Sequence, residues 1–228
     1  MSDTTHCESL HHEAFVYSSD GQYVDSLAPL VGDALDAGRE VFSVVSPRNA
    51  GLLHDALGSR APSVTWVDAT DWYRKPVRTI SGYDAILRSL PSGASAFVIG
   101  EVQFGSDERA WTEWTRYEWL LNDILRRYPA RVVCPYDTRE LPRAVVADAA
   151  RTHPRVLEHR SARPSALYDD GTGTWSKDFA VEAHLPERAA DVDLGDELTP
   201  LTARRALQVV AGRAVSEARI GEMRLGIS

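Results

Sequence analysis

Short apolar runs and longer amphipathic stretches take turns along the chain between His12 and Glu158. The first run, Ala14 to Tyr17 within His12 to Ser18, ends in Ser18, Ser19, Asp20 and Gly21. That pattern predicts a strand followed by a turn or helix cap. From Gln22 to Ala37 the apolar positions Tyr23, Leu27, Leu30, Val31, Ala34 and Leu35 recur at helical spacing, and Gly38 closes the stretch. Glu40 to Val45 predicts a second buried strand, Arg48 to Leu57 a short helix, and Val64 to Val67 a strand ending at Asp68. After a Trp72 to Pro76 loop, Val77 to Leu90 is helical in spacing and Ala96 to Ile99 reads as a strand ending at Gly100 and Glu101. Asp107 to Tyr128 predicts a long helix with Trp111, Trp114, Tyr117, Leu120, Leu121 and Ile124 on or near one stripe. Arg131 to Cys134 predicts a further strand, Pro142 to Arg151 a helix, and Val156 to Glu158 a last short strand.

Regular alternation of this kind implies an α/β fold: a mainly parallel sheet with helices on both faces. Parallel strands bring their C-terminal ends to one edge, where open sheets of this type place their ligands. The strand ends carry Tyr17, Ser46, Asp68, Glu101, Tyr136 and Asp137, which are therefore expected to gather there. Beyond Ser161 the texture changes: a turn-rich stretch around Asp169 to Gly173, an acidic segment from Glu187 to Glu197, then a helical run from Leu201 to Ile220. The expected organisation is a flexible tail over 1–10, one domain over 11–170, a linker or hairpin over 171–200 and a C-terminal helix over 201–228.

A length of 228 residues and a hydrophobic content of 43% suit one domain with a sizeable core. No apolar run approaches the roughly 20 residues that span a bilayer. The polar segment Met1 to Leu10 lacks the apolar centre of a secretory signal, so a cytoplasmic location is expected. A net charge of -8 argues against general nucleic-acid binding.

The chemistry-bearing residues are sparse. Where an ATPase of this topology carries its phosphate loop, the chain reads Ser18 to Tyr23, with one glycine, no lysine and the carboxylate of Asp20. Such a segment is unsuited to cradling phosphate. The cysteines, Cys7 and Cys134, lie in unlike contexts and imply no disulfide framework. His11, His12, Cys134 and His153 raise the question of zinc, but no pair has a metal-ligand spacing, so neither metal nor cofactor is expected. Glu101 ends a strand without an evident nucleophile or partner acid beside it. Trp72, Tyr73, Trp111, Trp114, Tyr117 and Trp119 form a dense aromatic group that suits either helix packing or a small apolar pocket.

Seven segments, in order, resemble the MEDS family, the methanogen and methylotroph sensory domain related to the RecA-like fold. They are His12 to Tyr17, Ala37 to Val41, Lys75 to Arg78, Gly100 and Glu101, Glu118 to Asn122, Cys134 to Asp137, and Thr152 to Pro154. Two positions depart from the family pattern: Tyr117 stands where histidine is frequent, and Val102 where proline is. The resemblance implies a three-layer, RecA-like sheet with a degenerate phosphate loop. It implies a non-enzymatic sensory module for a small organic ligand of one or two carbons, bound at the C-terminal edge of the sheet. The expected binding residues are His12, Tyr17, Glu101, Glu118, Cys134, Tyr136, Asp137 and His153, with Tyr136 and Asp137 weighing more than Cys134. The implied partners are regulatory proteins, a sigma or anti-sigma component or a histidine-kinase-like domain, rather than nucleic acid or membrane. The segment from Asp193 to Ile220 resembles the linker and first helix of a GHKL-type ATPase domain. Two alternatives stand beside this: a ligand-free RecA-like scaffold for protein contacts, and an enzyme using Glu101 or Cys134.

Overall fold

The computed structural model describes residues 9–171. The expected C-terminal helix, the linker beyond its first residue and most of the N-terminal tail lie outside the described residues.

Seven strands form one sheet in the spatial order β3, β2, β4, β5, β1, β6, β7. They are β1 (His11–Tyr17), β2 (Glu40–Val45), β3 (Thr65–Asp68), β4 (Ala96–Gly100), β5 (Ala130–Asp137), β6 (Arg155–Glu158) and β7 (Ser161–Pro164). All pairings are parallel except that of β6 with β7. The helices are α1 (Asp20–Asp36), α2 (Pro47–Leu57), α3 (Ala69–Trp72), α4 (Pro76–Ser89), α5 (Glu108–Ile124) and α6 (Arg143–Thr152). One face of the sheet packs against Leu27, Leu30 and Val31 of α1 and Leu53 of α2. The other packs against Ile80 and Tyr83 of α4, Trp114, Tyr117 and Leu121 of α5, and Val145 of α6. The result is three layers, mainly parallel, as the alternating pattern implies. Burial on both faces explains why β4, Ala96 to Gly100, is apolar throughout and buried at every position.

Local chemistry sets the helix starts. Ser19 caps α1 by accepting from the Gln22 amide at 3.1 Å, and Asp107 caps α5 by accepting from Ala110 at 2.9 Å. Pro47 and Pro76 stand in the first turns of α2 and α4, where no amide hydrogen is required. Pro142 falls one position earlier than expected, at the N-cap of α6. Gly38, at φ +68°, makes the left-handed turn from α1 into β2.

Four differences from the pattern-based expectation have physical causes. The α5 helix stops at Ile124 rather than Tyr128, because Pro129 disfavours helix at Tyr128 and the Tyr128 hydroxyl is drawn to Asp84. Leu120 does not join the buried stripe and is 39% exposed, whereas Glu118 is fully buried on that face. The one-turn helix α3 fills the interval between the strand end at Asp68 and the expected loop, sharing Trp72 with that loop, and is held by the Asp68 carboxylate accepting from the Thr70 amide at 2.8 Å. Strand β7 adds to the sheet where only a change of texture was legible.

Candidate functional site

The eight residues singled out from the chain do not form one site. Side chains alternate across the sheet, so His12 and Ala14 of β1 face α5 and α6, while Phe15 and Tyr17 face α1. Cys134 and Tyr136 of β5 share the His12 face. His12, Glu118, Cys134 and His153 meet there, with Tyr136 beside them. Tyr17, Glu101 and Asp137 belong to the C-terminal edge.

In the first group, parallel pairing sets Ala14 opposite Cys134 and thereby His12 one same-face step away. Glu118 reaches in from α5, and His153 from the C-cap of α6. All four side chains are at most 2% exposed. Glu118 Oε2 lies 3.1 Å from His12 Nε2, 3.4 Å from His153 Nε2 and 3.6 Å from Cys134 Sγ. His12 Nε2 lies 3.3 Å from the same sulfur. The two rings stand 3.9 Å apart, and Tyr136 meets His153 edge-on at 5.7 Å.

Backbone contacts fix which ring nitrogens face inward. The Asn122 amide nitrogen donates to Thr152 O at 2.7 Å and Trp119 O at 3.0 Å, leaving its Oδ1 to accept from His12 Nδ1 at 3.0 Å. His153 Nδ1 donates to Ala149 O at 2.9 Å. With both Nδ1 atoms engaged as donors outside the cluster, both Nε2 atoms are turned into it. Burial works against the charge on Glu118, but the adjacent imidazoles outweigh it and lower its carboxyl to about 2. Burial, then the neighbouring His12, brings His153 down to about 4, so that ring is neutral at pH 7. Burial pushes the Cys134 thiol well up, and the Glu118 carboxylate adds to it. An ionised carboxylate, a neutral imidazole and a protonated thiol therefore share a dry interior. Glu118 Oε1 and His153 Nε2 make no hydrogen bond there.

Cys134 also borders a cavity of about 10 Å³, lined by Tyr73, Tyr83, Tyr117, Leu121, Leu125 and Val132. Gly100 lets the tyrosines approach: a Cβ there would stand 2.7 Å from the Tyr73 hydroxyl and 3.2 Å from that of Tyr83. Those two hydroxyls bond each other at 2.7 Å.

The second group braces loops. Glu101 Oε2 accepts from the Ser46 amide at 2.8 Å and from Asn49 Nδ2 at 3.0 Å, and Asn49 also donates to the Tyr17 hydroxyl at 3.1 Å. Asp137 pairs with Arg139 at 2.6 Å; Arg139 reaches Asp20 at 2.8 Å, and Arg48 reaches the same carboxylate at 2.7 Å. Asp68 does its work within α3. Where a phosphate loop would open, the Ser18 amide donates to the Gln22 side chain at 2.9 Å and the Asp20 carboxylate is held by two arginines.

Asn122, Tyr73, Tyr83 and Leu121 complete the interior group and are outside the eight binding candidates. Tyr73 had a signal in the dense aromatic group, Leu121 in the α5 stripe, and Asn122 in standing one helical turn after Glu118 and so on the same face. No pair among His11, His12, Cys134 and His153 has a metal-ligand spacing, yet the fold gathers two imidazoles, a thiol and a carboxylate with their donor atoms all within 4.8 Å of one another. That is a donor set transition metals take.

A family model described as MEDS, the methanogen/methylotroph, DcmR sensory domain, matches residues 11–154. That span holds all eight candidates. No curated protein matches the chain. Among solved structures, the chain is similar to the flagellar accessory protein FlaH from Methanocaldococcus jannaschii, at 11% identity and a TM-score of 0.36, covering 65% of this chain and 70% of that one.

Proposed function

Because the chain belongs to the MEDS family of sensory domains, we propose that it senses a small organic molecule of one or two carbons, held in the interior cavity beside Cys134. The observation that carries this reading is the cavity itself: about 10 Å³, apolar in the surface it exposes, and bounded by Leu121, Leu125 and Val132 and by the rings of Tyr73, Tyr83 and Tyr117. A space of that size takes about one water-sized group before its walls must give. A nucleotide or sugar has no room there, whereas a one- or two-carbon molecule enters with only a small outward shift of the walls. Placing the ligand inside rather than at the sheet edge follows from what the edge residues do. Tyr17, Glu101 and Asp137 are already tied to Asn49, Ser46 and Arg139.

The role is binding rather than catalysis. A nucleophilic cysteine needs a lowered pKa and access, and Cys134 has a raised pKa and is buried. Glu101 Oε2 is engaged by the Ser46 amide and Asn49 rather than by a nucleophile or partner acid. Occupancy shifts a conformational equilibrium when two states bind the ligand differently. Here the cavity lies between the sheet and α4 and α5, so filling it biases the packing of those helices and, through them, a regulatory partner.

A thermal-shift panel of one- and two-carbon alcohols, amines and halides against the 228-residue chain tests this. At least one compound raises the melting temperature, and Val132→Leu, which fills the cavity, abolishes that rise. If no member of the panel moves the melting point, the reading fails.

A further inference from the structure

Three of the four converging side chains described above have no job in the small-ligand reading. His12, Glu118 and His153 do not line the cavity, yet they are among the most deeply buried polar groups of the fold. Buried polar groups are ordinarily hydrogen-bonded. Here Glu118 Oε1 and His153 Nε2 have no such bond, while Glu118 Oε2 accepts from the Cys134 thiol and faces the Nε2 atoms of both histidines.

We infer that His12 Nε2, His153 Nε2, Cys134 Sγ and Glu118 together bind one divalent transition-metal ion, zinc by preference. The separations carry the argument. A tetrahedral zinc ion with bonds of about 2.0–2.1 Å to nitrogen and oxygen and about 2.3 Å to sulfur has edges of about 3.3 Å between the light atoms and about 3.6 Å to sulfur. The cluster has nitrogen-to-oxygen edges of 3.1 and 3.4 Å, and edges to sulfur of 3.3 and 3.6 Å. Four of the six donor-to-donor edges therefore already match those of a metal-sized tetrahedron, and all four donor atoms lie within 4.8 Å of one another.

Orientation and charge agree with this. Each imidazole gives its Nδ1 hydrogen to an oxygen outside the cluster, Asn122 Oδ1 or Ala149 O, the arrangement that aims Nε2 at a metal and raises its basicity. On binding, the Cys134 thiol loses its proton to solvent as the sulfur–metal bond forms. One thiolate and one carboxylate then balance a divalent charge, leaving a neutral centre in a dry interior. Soft sulfur with imidazole nitrogen favours zinc over magnesium or calcium, which take oxygen. Because the ligands come from β1, β5, α5 and the end of α6, the ion joins the sheet to two helices of one layer. Its sulfur ligand is also a cavity wall. The inference stands without the small-ligand reading, since metal content is measured with no organic compound present.

The test uses the untagged 228-residue chain, expressed with zinc and analysed by elemental mass spectrometry. About one zinc per chain is expected, falling at least tenfold in Cys134→Ser and in His153→Gln. Since either variant can fold poorly, cobalt substitution of the unaltered chain supplies a second readout. Cobalt is expected to give the strong visible absorption of a tetrahedral centre and a near-ultraviolet thiolate-to-metal band. A chain that carries no stoichiometric zinc, and that takes up cobalt with only the weak spectrum of an octahedral aquo ion, overturns the site. Retention of zinc by a folded Cys134→Ser chain also overturns it.

Discussion

Cys134 lies between a tyrosine-lined cavity and three other buried polar side chains, and burial pushes its thiol well up. From the chain alone it ranked below Tyr136 and Asp137, since it has no partner cysteine and no histidine at a ligand spacing. What raises its standing is the parallel register that sets Ala14 opposite it and His12 beside it, 122 positions away in sequence. Residue spacing carries no trace of a contact made across that distance, which is why the interior group was legible only as seven scattered segments of a family pattern. The expected behaviour follows from burial. In a Cys7→Ser background, iodoacetamide at neutral pH labels Cys134 in the folded chain at least about 100-fold more slowly than in the denatured, chelator-treated chain, because labelling has to wait for opening. Rapid labelling of the folded chain would favour a reactive thiol and the enzymatic alternative.

At the scale of elements, periodic stretches and apolar runs were legible, down to the four-residue strands β3 and β6, whereas α3 and β7 were not. The α1 helix and β2 follow from apolar spacing and a closing glycine. The four-residue pieces α3 and β7 hold too few residues to establish a period. The far end of α5 misled because Leu125 and Tyr128 continue its apolar spacing after the backbone has turned, both being buried. The edge contacts give a prediction that belongs to the junction of β5 and α1. Burial works against the charge of Asp137, but hydrogen bonds from the Arg139 side chain and amide outweigh it and hold the carboxyl below its usual value. A carboxyl with a lower pKa folded than unfolded stabilises the fold above its unfolded value, and that contribution is lost as pH falls through the folded one. Urea midpoints of the unaltered chain should therefore fall as pH drops below about 4, and Asp137→Asn should show a shallower acid limb and a lower midpoint at pH 7. Equal slopes in the two proteins would mean that the Arg139 pair contributes nothing to the folded state.

For the molecule as a whole, the layered α/β architecture was fully legible, because alternation of runs is a property of the chain. The division of its polar residues between two sites was not, because it depends on which face of a strand each residue occupies. His12 and Tyr17, five positions apart on one strand, end on opposite faces. Among the described residues no helix is long and apolar enough to cross a membrane. The central claim is that a small ligand enters the interior beside Cys134 rather than binding at the sheet edge. Methyl-resolved NMR of the whole chain, titrated with the compound that most raises its melting temperature, tests it directly. The account predicts saturable shifts of the Leu121, Leu125 and Val132 methyls, lost in Val132→Leu. Shifts confined to residues near Tyr17, Glu101 and Asp137, with the interior methyls unmoved, would contradict it.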